Sequence, residues 1–464
     1  MLFNSFEFIL FFAVVYLLYR LSNHRLQNFM LLAASYLFYG AWDWRFLGLL
    51  LFTTAVDYAC GLLIDQARDD RQRKLILAVS ICVNLGVLVF FKYFDFFSQS
   101  LNQLALSAGI RLDMLTLKII LPIGISFYTF QSMSYTIDVY RRQLKAEKNF
   151  FDFALYVSFF PQLVAGPIER AVNLLPQIKA ERTVSSSQID EGMWLIYWGF
   201  FKKVFVADNL ALIVNEVFAK TGIFPGGEAL VGVYAFAFQI YGDFAGYSDI
   251  ARGLAKLMGI ELMVNFKFPY FVTNPRDFWR NWHISLSTWL RDYLYIPLGG
   301  SRGSRLITYR NIFITMLLGG LWHGAAWHFV IWGAYCGLLL MAYRALEYKP
   351  VSRVLSFAAV VFMFHLTCLG WLIFRAGCMT QAFNMLRNIL LHFSWSPDAG
   401  YYFLKMCFVI VPLLALLVIE RVKNDHLAIL KWPALPKWAL LLLIFYLITM
   451  FGEFGGKEFI YFQF

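Results

Sequence analysis

Residues 307–345 read ITYRNIFITMLLGGLWHGAAWHFVIWGAYCGLLLMAYRA, two apolar runs joined by Gly320-Leu321-Trp322-His323-Gly324-Ala325-Ala326-Trp327-His328. A membrane-spanning helix needs about 20 mostly apolar residues, so this stretch is long enough for two spans or one bent span. A titratable ring between such runs is costly unless protein or a water-filled cavity surrounds it, which makes His323 a candidate site by default. Gly319, Gly320 and Gly324 permit close helix approach. Trp322 and Trp327 are expected to wall the histidine in, and partial desolvation would favour a neutral imidazole able to take a proton from a hydroxyl. Catalysis, a buried hydrogen-bonding role and a role in transport all remain open on these residues alone.

Working outward, the whole chain has the same character. Its 464 residues are 60% hydrophobic and only 15% charged, with a mean hydropathy of +0.61. A water-soluble globule of this size needs far more charge on its surface, so the expected class is an all-α polytopic membrane protein. Apolar segments recur along the sequence and predict about 10 to 12 spanning helices, together with re-entrant and amphipathic ones. The segment Phe6 to Leu21 begins with Glu7 rather than a basic head and lacks a small-residue cleavage site, so it reads as a retained span. No internal repeat supports an inverted-repeat transporter, and residues 1–464 are expected to form a single integral-membrane domain.

The net charge of +11 comes from 40 Lys and Arg residues dispersed in connectors, so membrane lipids rather than nucleic acid are the expected partner. Basic connectors such as Arg68 to Lys74 and Arg421 to Lys437 favour the cytoplasmic side, the intervening Asp69 and Asp70 counting for little. With Arg20 and Arg25 also inside, the N-terminus faces outward. Cys60, Cys82, Cys336, Cys368, Cys378 and Cys407 form no CxxC pair and read as small hydrophobes.

The connectors carry the polar information. Ser158 to Arg170 reads as a short helix broken between Pro161 and Pro167 and ending in a charged turn, backbone that survives at membrane depth only inside protein or beside a cavity. Asn274 as a cap and Pro275 at the first helical position predict one helix running toward Tyr293. On it Trp279, Trp282, Leu286, Leu290 and Tyr293 would share one arc, Arg280, Ser287 and Arg291 another, with His283 at the border. An interfacial helix with a structural histidine is the plainer reading of that pattern. Asp243 and Asp249 lie in an apolar region and read as architectural carboxylates, one of them paired with Arg252 or Arg280. Asp292 with Arg291 and Arg302 would fix the cytoplasmic mouth of a cavity or meet a donor's phosphate.

Several chemistries are poorly supported. His323 and His328 are five apart with no acid between them, unlike a zinc-protease pair, and no metal site is expected. Neither a heme motif nor paired Glu clusters occur. There is no GxSxG elbow, and Gly299 to Arg305 lacks the spacing of a phosphate loop. Direct acyl transfer fits better, with His323 deprotonating an acceptor hydroxyl as it attacks an activated ester, and oriented Trp, Tyr, Asn or His283 donors meeting the developing charge.

Trp279-Arg280-Asn281-Trp282-His283-Ile284-Ser285-Leu286-Ser287-Thr288-Trp289-Leu290-Arg291-Asp292-Tyr293, continuing to Gly300, and Gly320-Leu321-Trp322-His323-Gly324-Ala325 carry a resemblance to a known family. So do Pro161 to Ile168 and the terminal Phe459 to Phe464. On these motifs the chain resembles the membrane-bound O-acyltransferase (MBOAT) family, most closely its bacterial polysaccharide branch, over nearly its whole length. The resemblance implies a ring of tilted helices around a central funnel, with His323 as the catalytic histidine and His283 as the second histidine of the site. Trp322, Arg291, Asp292, Tyr293 and Arg302 would line the donor path. It implies no tightly bound cofactor, with acetyl-CoA or another activated acyl donor as substrate and an acyl carrier protein as a possible source. It further implies a location in the bacterial inner membrane and periplasmic acetyltransferase partners that pass acetyl to an alginate-like polymer. D-alanyl transfer from a phosphopantetheine carrier is the nearest alternative. A polysaccharide or lipid transporter, or a scaffold that has lost catalysis, are the readings from other classes. The chain is short for the alginate branch, so extra C-terminal spans are expected to be reduced.

Overall fold

The computed structural model describes residues 1–111, 117, 119–164, 166–346, 352–455 and 459–460. Ala165 of the Pro161 to Ile168 motif and Tyr461 to Phe464 of the terminal motif lie outside the described residues. The described chain is helical throughout and falls into two compact units, residues 1–188 with 254–263, and residues 189–253 with 264–464.

The first unit contains α1 (Phe6–Leu21), α2 (His24–Asp43), α3 (Arg45–Gln66), α4 (Asp70–Leu88), α5 (Phe94–Ser107), α6 (Ile125–Tyr140), α7 (Phe150–Ser158), α8 (Phe160–Leu163) and α9 (Ala171–Lys179). Side-chain caps start several of them: Ser5, Asn23 and Asp69 accept backbone N–H bonds at α1, α2 and α4, satisfying donors that a helix start leaves open. α3, α4 and α6 join through polar side chains rather than through apolar surface alone. The buried Asp57 carboxylate accepts from Ser80 at 2.6 Å, from Asn84 at 2.8 and 2.9 Å, and from Ser132. The break between α7 and α8 falls at Phe159, before Pro161, while α8 itself stops at Leu163, between the two prolines as expected; the Phe159 break is satisfied inside protein. Gln131 and Gln162 both donate to the Tyr156 carbonyl, and Ser35 accepts the Phe160 N–H.

The second unit holds α10 (Ser186–Phe200), α11 (Asp208–Ala219), α12 (Gly226–Leu257, whose last turn counts with the first unit), α13 (Pro275–Asn281), α14 (Ile284–Leu290) and α15 (Arg305–His323). It continues with α16 (Trp327–Leu346), α17 (Arg353–Arg375), α18 (Met379–Leu391), α19 (Pro397–Lys423) and α20 (Ala434–Phe451). Two close helix crossings organise it. α10 runs antiparallel to α12, with Gly199 against Gly246 and Gly192 against Gly253 at distances that leave no room for a methyl group. α15 and α16 meet in the same way at Gly320 and Gly333.

Six described helices are by themselves long and apolar enough to cross a bilayer: α3, the continuous α4–α5 stretch Asp70–Ser107, α16, α17, α19 and α20. The chain is therefore a polytopic membrane protein. The expected 10 to 12 spans form a wider set than these six. α1 and α6 have 16 residues each, short for a span, and α6 carries Ser, Thr and Gln side chains that it buries against its neighbours.

Candidate active site

The one helix expected from Pro275 toward Tyr293 is two. α13 ends at Asn281, α14 begins at Ile284, and His283 stands between them in a left-handed conformation with φ 42° and ψ 55°. A non-glycine residue in that region is held there by its surroundings. Asn265 does the holding. Its carbonyl accepts the Ile284 N–H at 3.0 Å, its side-chain oxygen accepts the Ser285 N–H at 3.3 Å, and its amide donates to Ser248 on α12 at 3.1 Å. Asn265 is 1% exposed and in effect caps α14 from outside the helix, since His283 makes no cap bond of its own. Because the helix breaks here, the arcs drawn for a continuous helix do not exist. His283 leaves the amphipathic pattern and is 1% exposed, not on an interfacial border.

His323 is the last residue of α15 and is 4% exposed. Gly324 follows it in extended backbone, where a Cβ would fall 2.1 Å from the Phe329 ring, so that position admits no side chain without a rearrangement. The walls of His323 are Trp322 at 5.1 Å, Trp332 at 5.0 Å and Phe374 at 5.4 Å between ring centroids, all edge-on. Trp327, expected as a wall, is 56% exposed at the start of α16; the chain turns at Gly324 and carries it away. Trp332, one helical turn and more further along, takes its place. The sequence spacing of α16 could have suggested it, but only once α15 and α16 were known to form a close hairpin.

Trp322 joins the two histidines, its ring lying 5.1 Å from His323 and 5.9 Å from His283. Phe244 closes the other side of His283 at 4.6 Å. Burial, and secondarily the nearby His323, push the His283 imidazole well below its ordinary pKa, so it is neutral near pH 7. A neutral imidazole beside a second histidine in a buried aromatic setting can accept a proton from a hydroxyl and orient an acyl group beside it.

The remaining sequence candidates spread along the unit. Arg291, Asp292 and Tyr293 occupy a π-helical turn after α14; Arg291 pairs with Asp292 at 2.7 Å and Tyr293 packs on Trp289. Arg302 is exposed in a turn held by positive-φ Gly299, Gly300 and Gly303, immediately before α15. α15 is 19 residues, about 28 Å, long; His323 is its last residue and Arg302 lies in the turn just before its first. Trp322 is thus with the histidines, whereas Arg302 belongs to the turn that precedes α15. Asp249 pairs with Lys202 at 2.6 Å and with Arg252 at 3.2 Å, and Asp243 with Lys203 at 2.8 Å; Arg280 pairs instead with Asp277.

Fold and site together define an all-helical polytopic membrane protein with a buried histidine pair in an aromatic enclosure. The model of the membrane-bound O-acyltransferase family matches residues 77–382, a range that contains both histidines. The chain is 47% identical over 399 residues to the "Probable alginate O-acetylase AlgI" of Pseudomonas aeruginosa, covering 85% of this chain and 76% of that one. It is 36% identical over 400 residues to the peptidoglycan O-acetyltransferase of Helicobacter pylori, covering 80% and 75%. To the teichoic acid D-alanyltransferase of Bacillus subtilis it is 29% identical over 270 residues, covering 54% and 68%. The chain belongs to the membrane-bound O-acyltransferase family and to its AlgI-like branch.

Proposed function

We propose that the protein is an inner-membrane O-acetyltransferase that takes acetyl from a cytoplasmic donor and delivers it for O-acetylation of an extracytoplasmic, alginate-like polysaccharide, through a periplasmic partner protein. The observation that carries this reading is the buried His283–Trp322–His323 cluster. His323 acts as general base on the acceptor hydroxyl. The oxygen attacks the donor's acyl carbon, the bond to the donor's leaving atom breaks, and the proton passes to that leaving group. His283, neutral and fixed by the Asn265 cap, and the Trp322 indole meet the charge that develops on the carbonyl oxygen.

The ends of α15, α16 and α17 that carry Arg302, Arg305, Arg310, Arg344 and Arg353 are richer in basic residues than the opposite ends. The positive-inside rule then turns the Arg302 turn toward the cytoplasm and His323 toward the outer side. A long donor entering at Arg302 and passing Arg291, Asp292 and Tyr293 would present its acyl end near Trp322. The similarity to relatives named for alginate and for peptidoglycan supports an acetyl group and a polymer acceptor.

Labelled acetyl-CoA supplied to the purified chain in detergent, with and without a candidate periplasmic acetyltransferase partner, tests this. Label should reach the partner with the wild type and not with His323→Ala. A folded wild type that transfers nothing with both components present would favour carrier-bound donors and D-alanyl chemistry, as in the teichoic acid relative.

A further inference from the structure

The rings that wall in His323 are backed by further rings. Trp332 stacks on Trp371 at 6.0 Å between centroids and meets Phe374 at 5.1 Å, and Phe374 meets Phe329 at 4.9 Å. All four are at most 3% exposed. Across the site, Phe244, which stands against His283, is backed in the same way by Phe266 at 5.1 Å. Such an interior is close-packed. Flat, stiff rings cannot fold aside as a methionine can, so an added methylene group meets resistance.

The acceptor oxygen has to lie within about 3 Å of a His323 ring nitrogen to be deprotonated, and the acyl carbon within about 3–3.5 Å of that oxygen to be attacked. The carbons beyond the carbonyl therefore come to rest against the rings that wall in His323. Acetyl ends there, with its methyl group. A longer acyl group has to continue, and the space past Trp332 is small: a gap lined by Trp332, Trp371, Met363 and Thr367 among others, with room for about one water-sized group. Trp322 and Phe374, which also meet His323, do not line that gap. Trp332 does, and it stands edge-on to His323 at 5.0 Å. Its indole is the partition between the site and the gap.

We propose that Trp332 determines acyl-chain length, closing the site behind His323 so that acetyl is moved and longer straight-chain acyl groups are refused. This rests on the acyl transfer proposed above. The test compares kcat/KM for labelled acetyl-CoA and butyryl-CoA, with the full chain in detergent and the candidate periplasmic partner as acceptor. An extra methylene in a closed pocket changes the rate about 10–200-fold, so butyryl, with two, should be transferred at least about a hundredfold less well than acetyl. Less than a tenfold preference would overturn the length limit and leave acyl transfer standing; transfer of neither group would overturn the proposed function and the limit with it. In Trp332→Leu the gap joins the site, and the butyryl-to-acetyl ratio is expected to rise at least tenfold. An unchanged ratio in that variant would overturn the role of Trp332. Met363→Ala widens the same gap and leaves the partition standing, so it should keep the wild-type ratio; an equal rise there would mean that the chain bypasses Trp332, and would overturn the proposal. If Trp332→Leu does not fold, Trp332→Phe is read in its place by the same criterion.

Discussion

Gly320 lies three residues before His323, where α15 crosses α16. A methyl group there would stand 2.3 Å from the Phe329 carbonyl oxygen and 2.8 Å from the Gly333 Cα, both backbone atoms that cannot swing aside. Ordinary contact begins at 3.4 Å, so in Gly320→Ala the start of α16 has to retreat by about 1.1 Å from α15. Overpacking of that kind costs about 1–3 kcal/mol, which a bundle of this size should survive. The same retreat carries Trp332 away from His323. Misplacement by about 1 Å can cost about a hundredfold in rate, or about 2.7 kcal/mol of barrier. Acetyl transfer should therefore fall about a hundredfold while the purified protein still shows a cooperative melt. Gly86→Ala on α4 is the control, because nothing lies within 4 Å of its Cβ position and alanine is the better helix former there. Wild-type transfer in Gly320→Ala, or an equal loss in Gly86→Ala, would refute the link from this crossing to the histidine.

Asn265→Ala removes the acceptor for the Ser285 N–H and the donor to Ser248; a loss of about 1–3 kcal/mol in melting, accompanied by a drop in transfer, is expected, and an active, unshifted variant would show that His283 is held by other means. Because burial keeps the folded His283 pKa well below its unfolded value of about 6.5, the unfolded chain binds the extra proton first as pH falls. Its contribution to stability is present above about pH 6.5 and is lost as pH drops toward the folded pKa; melts from pH 7.5 to 5.0 should show a fall that is smaller in His283→Gln, and parallel curves would argue against a buried neutral imidazole. Arg302→Ala, in the turn before α15 and away from the His323 end of that helix, should raise KM for the donor and leave kcat nearly unchanged, the signature of uniform binding lost; a kcat effect without a KM effect would place Arg302 outside the donor path.

The membrane class and the burial of His323 were legible because they rest on composition and on the place of a titratable ring between two apolar runs. The caps were legible too: Asn274 accepts the Asp277 N–H, and Pro275 opens α13 as its fixed φ suggests. The break at His283 was not. Nothing between Asn281 and Ile284 is a glycine or proline, and the left-handed turn is imposed by Asn265, sixteen residues or more away along the chain. Periodicity assumes a continuous helix and so misplaced His283 on a border. Trp327 failed for a related reason: its neighbour relation to His323 is set by the direction of the turn at Gly324, which sequence distance does not contain. Such places, where a local rule gives way to a tertiary contact, are where a site is expected.

The carboxylates at 243 and 249 show what holds that contact in place. Lys202, Lys203 and Arg252 face Asp208, Asp243 and Asp249 across the π-helical turn Phe201–Ala207 and α12, three charges of each sign. A single uncompensated charge so deeply placed costs several kcal/mol, whereas a balanced set with short, directed bonds does not carry that penalty. Asp243 also accepts the Ile460 N–H at 2.7 Å, and the adjoining Phe459 packs on Phe244 at 5.6 Å and on Tyr247 at 4.6 Å. Phe244 in turn meets His283 at 4.6 Å. The ion network therefore does not reach the histidine directly. It fixes α12 and the Phe459–Ile460 segment, and the ring of Phe244 carries that fixed position to the imidazole, so that the charged cluster is architecture whose last element is a wall of the site.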